Sequence, residues 1–106
     1  MSDVKILRMT TGEDVIAKIV QDGPEFITIS KAFVIIPRQS APGQPVQLMM
    51  SLYMPYTEEQ TIVVGKDKIV TMVPPKKDIL DSYTQNTSSI LTPNKELITE
   101  SKIPQL

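Results

Sequence analysis

Few residues in this 106-residue chain can do chemistry, and the absences narrow the field first. There is no His and no Cys. That excludes imidazole acid–base work at neutral pH, thiol nucleophiles, disulfides and the common soft metal sites. Carboxylates remain. Glu13-Asp14, Glu58-Glu59 and Asp78 with Asp81 are the pairs from which acid–base or Mg²⁺ chemistry would have to be built. Adjacent strand residues point to opposite faces, so Glu13 and Asp14 do not converge if a strand starts there. Asp78 and Asp81 have helical spacing, which usually marks a solvated face. Gly65-Lys66 is no phosphate loop, because the upstream Gly and the following Ser or Thr are missing. The expectation is a non-enzyme with no cofactor and no metal.

Binding chemistry is better represented. Lys66, Lys68, Lys76 and Lys77 against Asp67 leave residues 61–77 with a local charge of +3, although the whole chain carries −1. Such a segment suits phosphate contact in a salt-sensitive way, or is an ordinary solvated loop. Phe26 is placed either to stack a base or to pack in a core. Asp22 precedes Gly23, so it either accepts a hydrogen bond from a base edge or closes a turn through its own backbone. Tyr53 and Tyr56 read as packing or interface residues, and Met9, Met49, Met50, Met54 and Met72 as adaptable packing. The near-zero net charge excludes a pervasively basic nucleic-acid coat.

These side chains need a scaffold, and the scaffold reads as β. Val, Ile and Thr make up 32 of the residues, against 3 Ala, and branching at Cβ favours strand over helix. Strand runs fall at 4–9, 15–20, 26–36, 46–54, 61–64 and 69–73. Thr10-Thr11-Gly12-Glu13 forms the first turn, with Gly12 able to take positive φ. Asp22-Gly23-Pro24 is a hairpin signal. The third run is long enough to need a strong bend or a bulge. Residues 37–45 hold three Pro and one Gly and read as loop. After Pro74-Pro75, the spacing of Ile79, Leu80 and Tyr83 predicts a short helix over 76–83. The largely polar residues 86–106 read as a flexible tail, with Thr92-Pro93 a potential helix cap.

Two patterns bear on assembly. In the third run, Phe26, Ala32, Val34 and Ile36 oppose Ile27, Ile29, Phe33 and Ile35, so both faces are apolar. A lone sheet with one wet face alternates more cleanly. Val46, Leu48, Met50, Leu52 and Met54 do alternate, but almost no charge protects that strand. Edge strands are normally paired or guarded. Neighbouring subunits are therefore expected to fill edges.

The stretch Ile6-Leu7-Arg8-Met9-Thr10-Thr11-Gly12-Glu13-Asp14-Val15-Ile16-Ala17-Lys18-Ile19-Val20-Gln21-Asp22, continued by Ile27-Thr28-Ile29-Ser30-Lys31-Ala32, resembles the first motif of Sm and Sm-like proteins. Gly12 stands at the motif's turn glycine and Asp22 at its acidic position. Ile62-Val63-Val64-Gly65 with Ile69-Val70-Thr71-Met72 resembles a degenerate second motif. With Tyr53-Met54-Pro55-Tyr56 before the last strand and a helix after it, the pattern over residues 4–85 is similar to divergent Sm-like proteins of marine bacteriophages. Two positions depart: Phe26 stands where the family has a base-contacting Asn, and Val64 where it has an Arg.

The resemblance implies an all-β, Sm-like small barrel of five strongly bent antiparallel strands with a short C-terminal helix. The domain would span residues 1–85. It implies a homo-oligomeric ring, in which the fourth strand of one subunit joins the fifth of the next. The interface candidates are Leu48, Met50 and Leu52 on one side and Ile69, Thr71 and Val73 on the other. It also implies single-stranded RNA as partner, in an RNA-chaperone or RNA-processing role, with Asp22 reading a base edge, Phe26 stacking, and Lys66 and Lys68 on phosphates. The alternative is a scaffold or protein-interaction ring without RNA. The start Met1-Ser2-Asp3-Val4-Lys5 lacks a signal-peptide pattern, so a cytoplasmic location is expected, in a host cell if the chain is phage-encoded. No membrane role is expected.

Overall fold

The computed structural model describes residues 3–90, with side chains described to residue 87. The chain divides into two compact units, Met1–Pro75 and Lys76–Leu106. The first unit holds six antiparallel strand segments: β1 Val4–Met9, β2 Asp14–Asp22, β3 Phe26–Arg38, β4 Gln47–Leu52, β5 Thr61–Gly65 and β6 Ile69–Val73. The order across the sheet is β4-β3-β2-β1-β6, and β5 also pairs with β3.

All six strand runs read from the sequence form, and the five strands that the family resemblance implied become six because the fourth is split. β4 lies along the distal half of β3, from Phe33↔Leu52 to Arg38↔Gln47. β5 lies along the proximal half, from Phe26↔Gly65 to Ser30↔Thr61. β2 takes the other side of β3. β4 and β5 are thus two pieces of one line, interrupted over residues 53–60. β3 runs two residues past the expected end, through Pro37. Its pairing with β2 stops at Asp14↔Ile35. Beyond that point only one side of β3 is paired, where a residue lacking an N–H is tolerated.

A connection too short for a flat sheet dictates the curvature. β5 and β6 lie on opposite sides of the β3-β2-β1 stack, four strand spacings apart, which is about 19 Å in a flat sheet. Only the 3-10 turn Lys66–Lys68 joins them. Gly65 to Ile69 is four Cα steps, at most about 14 Å when extended. The sheet must therefore curl, and it stops short of closing because β5 and β6 do not pair.

Bulges make the curl. Ile16 pairs with Phe33 and Lys18 with Ser30, so Lys31 and Ala32 together oppose Ala17. Lys31 there takes a left-handed φ of 51°. A second bulge sits at Val20 of β2 and a third at Val70 of β6. Each bulge adds twist and reverses which alternate residues face inward. The core inside the curl is Leu7, Met9, Val15, Ala17, Ile27, Ile29, Ala32 and Val64, with Ile19, Val34, Tyr53, Ile62, Ile69 and Met72 packed against it. Gly12, at φ +103°, turns β1 into β2, and Met9 N donates to the Glu13 carbonyl at 2.9 Å.

The second unit contains α1, Lys77–Ile90, seven residues longer than its expected end. Ile79, Tyr83 and Thr87 recur every fourth residue, so the buried stripe of the helix continues past Tyr83. Thr87 can occupy it because its hydroxyl donates to the Thr84 carbonyl at 3.0 Å. Lys77, unfavourable at a helix start, is answered by Asp81 one turn on at 3.1 Å. The first five residues of the expected tail therefore belong to α1. The rest of that tail and the Thr92-Pro93 cap lie outside the described residues.

Candidate nucleic-acid interface

The β2–β3 turn and the β5–β6 corner meet at one end of the curled sheet. β2 ends at Asp22, and the turn Gly23-Pro24-Glu25 closes with Gly23 N donating to the Phe26 carbonyl at 2.9 Å. The start of β3 lies beside the end of β5 through the Phe26↔Gly65 pair. One residue on, Lys66 N donates to the Glu25 carbonyl at 2.9 Å. The Lys66 ammonium also forms an ion pair with the Asp22 carboxylate. Three of the four expected contacts, Asp22, Phe26 and Lys66, are thereby brought together by backbone pairing.

Lys68 is not with them. It ends the 3-10 turn beside the β1–β2 turn, where its carbonyl accepts from Thr10 N at 2.9 Å. Its ammonium lies 3.9 Å from Asp67. Asp67 itself folds back over Gly65: a Cβ placed there would come within 2.7 Å of an Asp67 carboxylate oxygen. Gly65 thus keeps this corner tight.

Phe26 is not a core residue. It is 57 % exposed, while the next residue, Ile27, faces inward. The ring lines an open depression of about 270 Å³ with Gln21, Gly23, Pro24, Glu25 and Thr28. Sequence reading missed Thr28 and Gln21. Thr28 shares Phe26's face by simple alternation, which was a usable signal. Gln21 pairs with Thr28 only because the Val20 bulge shifts the register, and nothing in the sequence announces that bulge.

The electrostatics differ from the linear reading. At the corner Lys66 meets Asp22, with Glu25 next to it in the turn, while Lys68 lies apart beside Asp67. Each lysine thus already has a carboxylate partner, where the segment alone carried an excess of lysine. Asp22 does not cap its own turn; it holds Lys66. A ligand phosphate reaching Lys66 must compete with that carboxylate.

Four of the six carboxylates considered for catalysis, Glu13, Asp14, Asp78 and Asp81, have structural partners. Arg8 donates from Nε and Nη2 to the two oxygens of Asp14 at 2.8 and 3.0 Å. The pair joins facing residues of β1 and β2. These hydrogen bonds, helped by Arg8's charge and opposed by partial burial, hold the Asp14 carboxyl below its ordinary value. Glu13 accepts from the Thr11 hydroxyl. Asp78 accepts from Ile79 N at 2.8 Å. Among the described residues, no group of three or more acidic side chains converges as a metal site would need. Tyr53 packs against the core, where burial first and the charge of Glu13 second push its hydroxyl pKa up. Tyr56 is almost fully exposed.

The interface candidates fall unevenly. Leu48 and Leu52 are exposed on β4, and Val73 on β6. Met50 is half-buried and Thr71 exposed. Ile69 packs against the core instead, because the bulge at Val70 takes it out of step with Thr71 and Val73. No helix among the described residues is long and apolar enough to cross a membrane.

A family model described as the Sm_like domain matches residues 6–84. No curated protein matches the sequence.

Proposed function

From the premise that this chain belongs to the Sm-like family, which the match over residues 6–84 shows, we propose that it forms a homo-oligomeric ring that binds single-stranded RNA without enzymatic activity. The observation that carries this reading is the corner where Phe26, more than half exposed, lines an open depression beside Lys66. An exposed aromatic over a depression stacks a base whatever its identity. Lys66, released from Asp22, supplies a phosphate contact. With both lysines already paired to carboxylates, stacking is the larger contribution and salt sensitivity is modest. In this reading the chain serves RNA-chaperone or processing work in the cytoplasm. A phage source, drawn from the sequence resemblance, fits it.

The ring itself follows from edges. Among the described residues, no strand pairs with the outer sides of β6 and of the β4/β5 line. A heterologous edge contact closes into a ring when its rotation permits. β6 and β5 are each five residues long, and each exposes a large apolar side chain, Val70 and Val63, both more than 60 % exposed. We place the ring contact between β6, with Thr71 and Val73 at the seam, and β5 of the next subunit.

One observation favours a second reading. The corner's excess of carboxylates disfavours phosphate and suits a scaffold or adaptor ring that binds protein. Light scattering with and without a short U-rich or A-rich single-stranded RNA separates the two. RNA binding requires a mass shift that weakens with salt and is reduced by Lys66→Glu with Lys68→Glu. A ring whose mass ignores RNA at low salt refutes the RNA reading and leaves the scaffold.

A further inference from the structure

The β3–β4 hairpin is the least guarded surface of the molecule. Between residues 32 and 57 the only charge is Arg38. Ile36, Val46, Leu48, Met49, Leu52 and Met54 are all at least 40 % exposed there. Leu48 and Leu52 lie on one face of the hairpin and Met49 with Ile36 on the other, as the pairs Pro37↔Leu48, Phe33↔Leu52 and Ile36↔Met49 require. Both faces are therefore apolar, and among the described residues no strand pairs with the outer backbone edge of β4. Natural edges of this length carry lysines, prolines or bulges that prevent pairing. Gln47–Leu52 carries none of these.

The ring leaves this edge open. This step rests on the ring reading above. β6 has five residues and the β4/β5 line has eleven, six in β4 and five in β5. One β6 strand laid along β5 covers none of β4.

We infer that β4 pairs with β4 of a second copy of this chain, antiparallel and about a two-fold axis, joining subunits of two different rings. A charged partner would find no complement on a segment whose single charge sits on β3. A second β4 is the chargeless, apolar strand that fits. An antiparallel strand pair related by a two-fold axis perpendicular to the sheet places each residue opposite one of the same face. Two registers align five of the six residues, centred on Met49 or on Met50. The first sets Leu48 against the second copy's Met50. The second sets Leu48 against the second copy's Leu52. Both extend each apolar face into a continuous patch across four strands, the gain expected from cross-strand apolar pairs. The contact is isologous, so it stops at two copies per hairpin and does not propagate along the edge.

The chain lacks Cys, so single cysteines report the contact without background. Facing Cα atoms of an antiparallel pair lie about 4.5–5.5 Å apart, within the limit of about 7 Å for a disulfide. Met49→Cys and Met50→Cys, with Gln39→Cys in the exposed hairpin connection as control, are oxidised and run on a denaturing gel. The expected result is a two-chain band for whichever of positions 49 and 50 lies on the axis, and little for Gln39→Cys. A matched mass measurement on Met49→Lys is expected to show half the wild-type assembly. Its circular dichroism reports whether the variant folds. The inference is overturned if neither cysteine links above the control. It is also overturned if Met50→Cys links only to Thr71→Cys in a double variant, since β6 then covers β4. Val70→Lys tests the ring alone. If it breaks the ring while the cysteine at 49 or 50 still links two chains, the ring reading stands, because its contact was the one broken. If Val70→Lys leaves the mass unchanged, the ring contact proposed above fails while the hairpin contact survives.

Discussion

Replacing Phe26 with Ala separates its two uses, because the structure gives each a different size. Fully burying a Phe side chain is worth about 1.5–3 kcal/mol. Phe26 is 57 % exposed, so a little under half of that is at stake, about 1 kcal/mol. For a domain of this size, that lowers Tm by roughly 4–8 °C. Base stacking on an aromatic is worth about 1–3 kcal/mol per base. At about 1.4 kcal/mol per tenfold, the loss weakens RNA binding roughly 5- to 150-fold. The assay is fluorescence anisotropy with a labelled U-rich or A-rich strand, run beside thermal unfolding by circular dichroism. Phe26→Tyr keeps the ring and is expected to retain affinity. Ile29→Ala is the contrasting variant: at 1 % exposure inside the core, it is expected to cost about 2–5 kcal/mol and to lose binding only through loss of fold. A folded Phe26→Ala that binds RNA within twofold of wild type refutes stacking at this position and takes the depression out of the proposed interface.

Three further outcomes follow from particular contacts. Asp22→Asn frees Lys66 from its ion pair, so RNA affinity at low salt is expected to rise and the salt slope to steepen by about one phosphate contact; a fall in affinity would instead give Asp22 the base-edge role. Gly12→Ala forces a side chain onto φ +103° with no steric neighbour to blame, and is expected to cost about 1–3 kcal/mol in urea unfolding. Asp14 is held below its ordinary value by Arg8, so its contribution is present above the unfolded-state value near 4 and is lost as pH falls through the folded one. Wild type is therefore expected to exceed Asp14→Asn by about 0.5 kcal/mol at pH 7, with the gap closing below pH 4 in denaturant midpoints.

Much of the fold was legible because strand chemistry is local. β1 and β6 begin and end at the residues expected from their branched runs, and Gly12 and Asp22-Gly23 marked the β1–β2 and β2–β3 turns. The two-faced reading of β3 holds for its distal half, where Phe33 is buried opposite the Ala32 and Val34 face. It fails for the proximal half, because alternation was counted straight through Lys31. The bulge opposite Ala17 reverses the inward set there, from Ile27 and Ile29 to Ala32 and Val34. Counted in two halves, the proximal part of β3 has one apolar and one wet face. The Val70 bulge did the same to Ile69. A bulge costs one unpaired residue and has no required side chain outside its glycine variety. Lys31, a non-glycine residue with positive φ, offers no signal that distinguishes it from any exposed lysine.

The candidate site was half legible for a related reason. Its candidates could be nominated where a local property sufficed: an acid before a hairpin Gly, an aromatic opening a strand, a lysine in a turn. Their sum could not, because charge was added along the chain and the fold adds it across space. Pairing Phe26 with Gly65 carries Asp22 and Glu25 into a corner that the sequence window 61–77 presented as strongly basic. The same pairing separates Lys68, two residues from Lys66, onto the far side of the turn beside Thr10. The proposed ring would repeat the corner once per subunit, and whatever sign the corner has would be multiplied with it. On the proposed ring reading, a corner in which Asp22 keeps Lys66 would present a circle of exposed aromatics with little positive field. Such a circle would hold single strands mainly by their bases, with Lys66 a minor phosphate contact. It would therefore discriminate against duplex, whose bases are already stacked, more strongly than a basic pore of the same diameter.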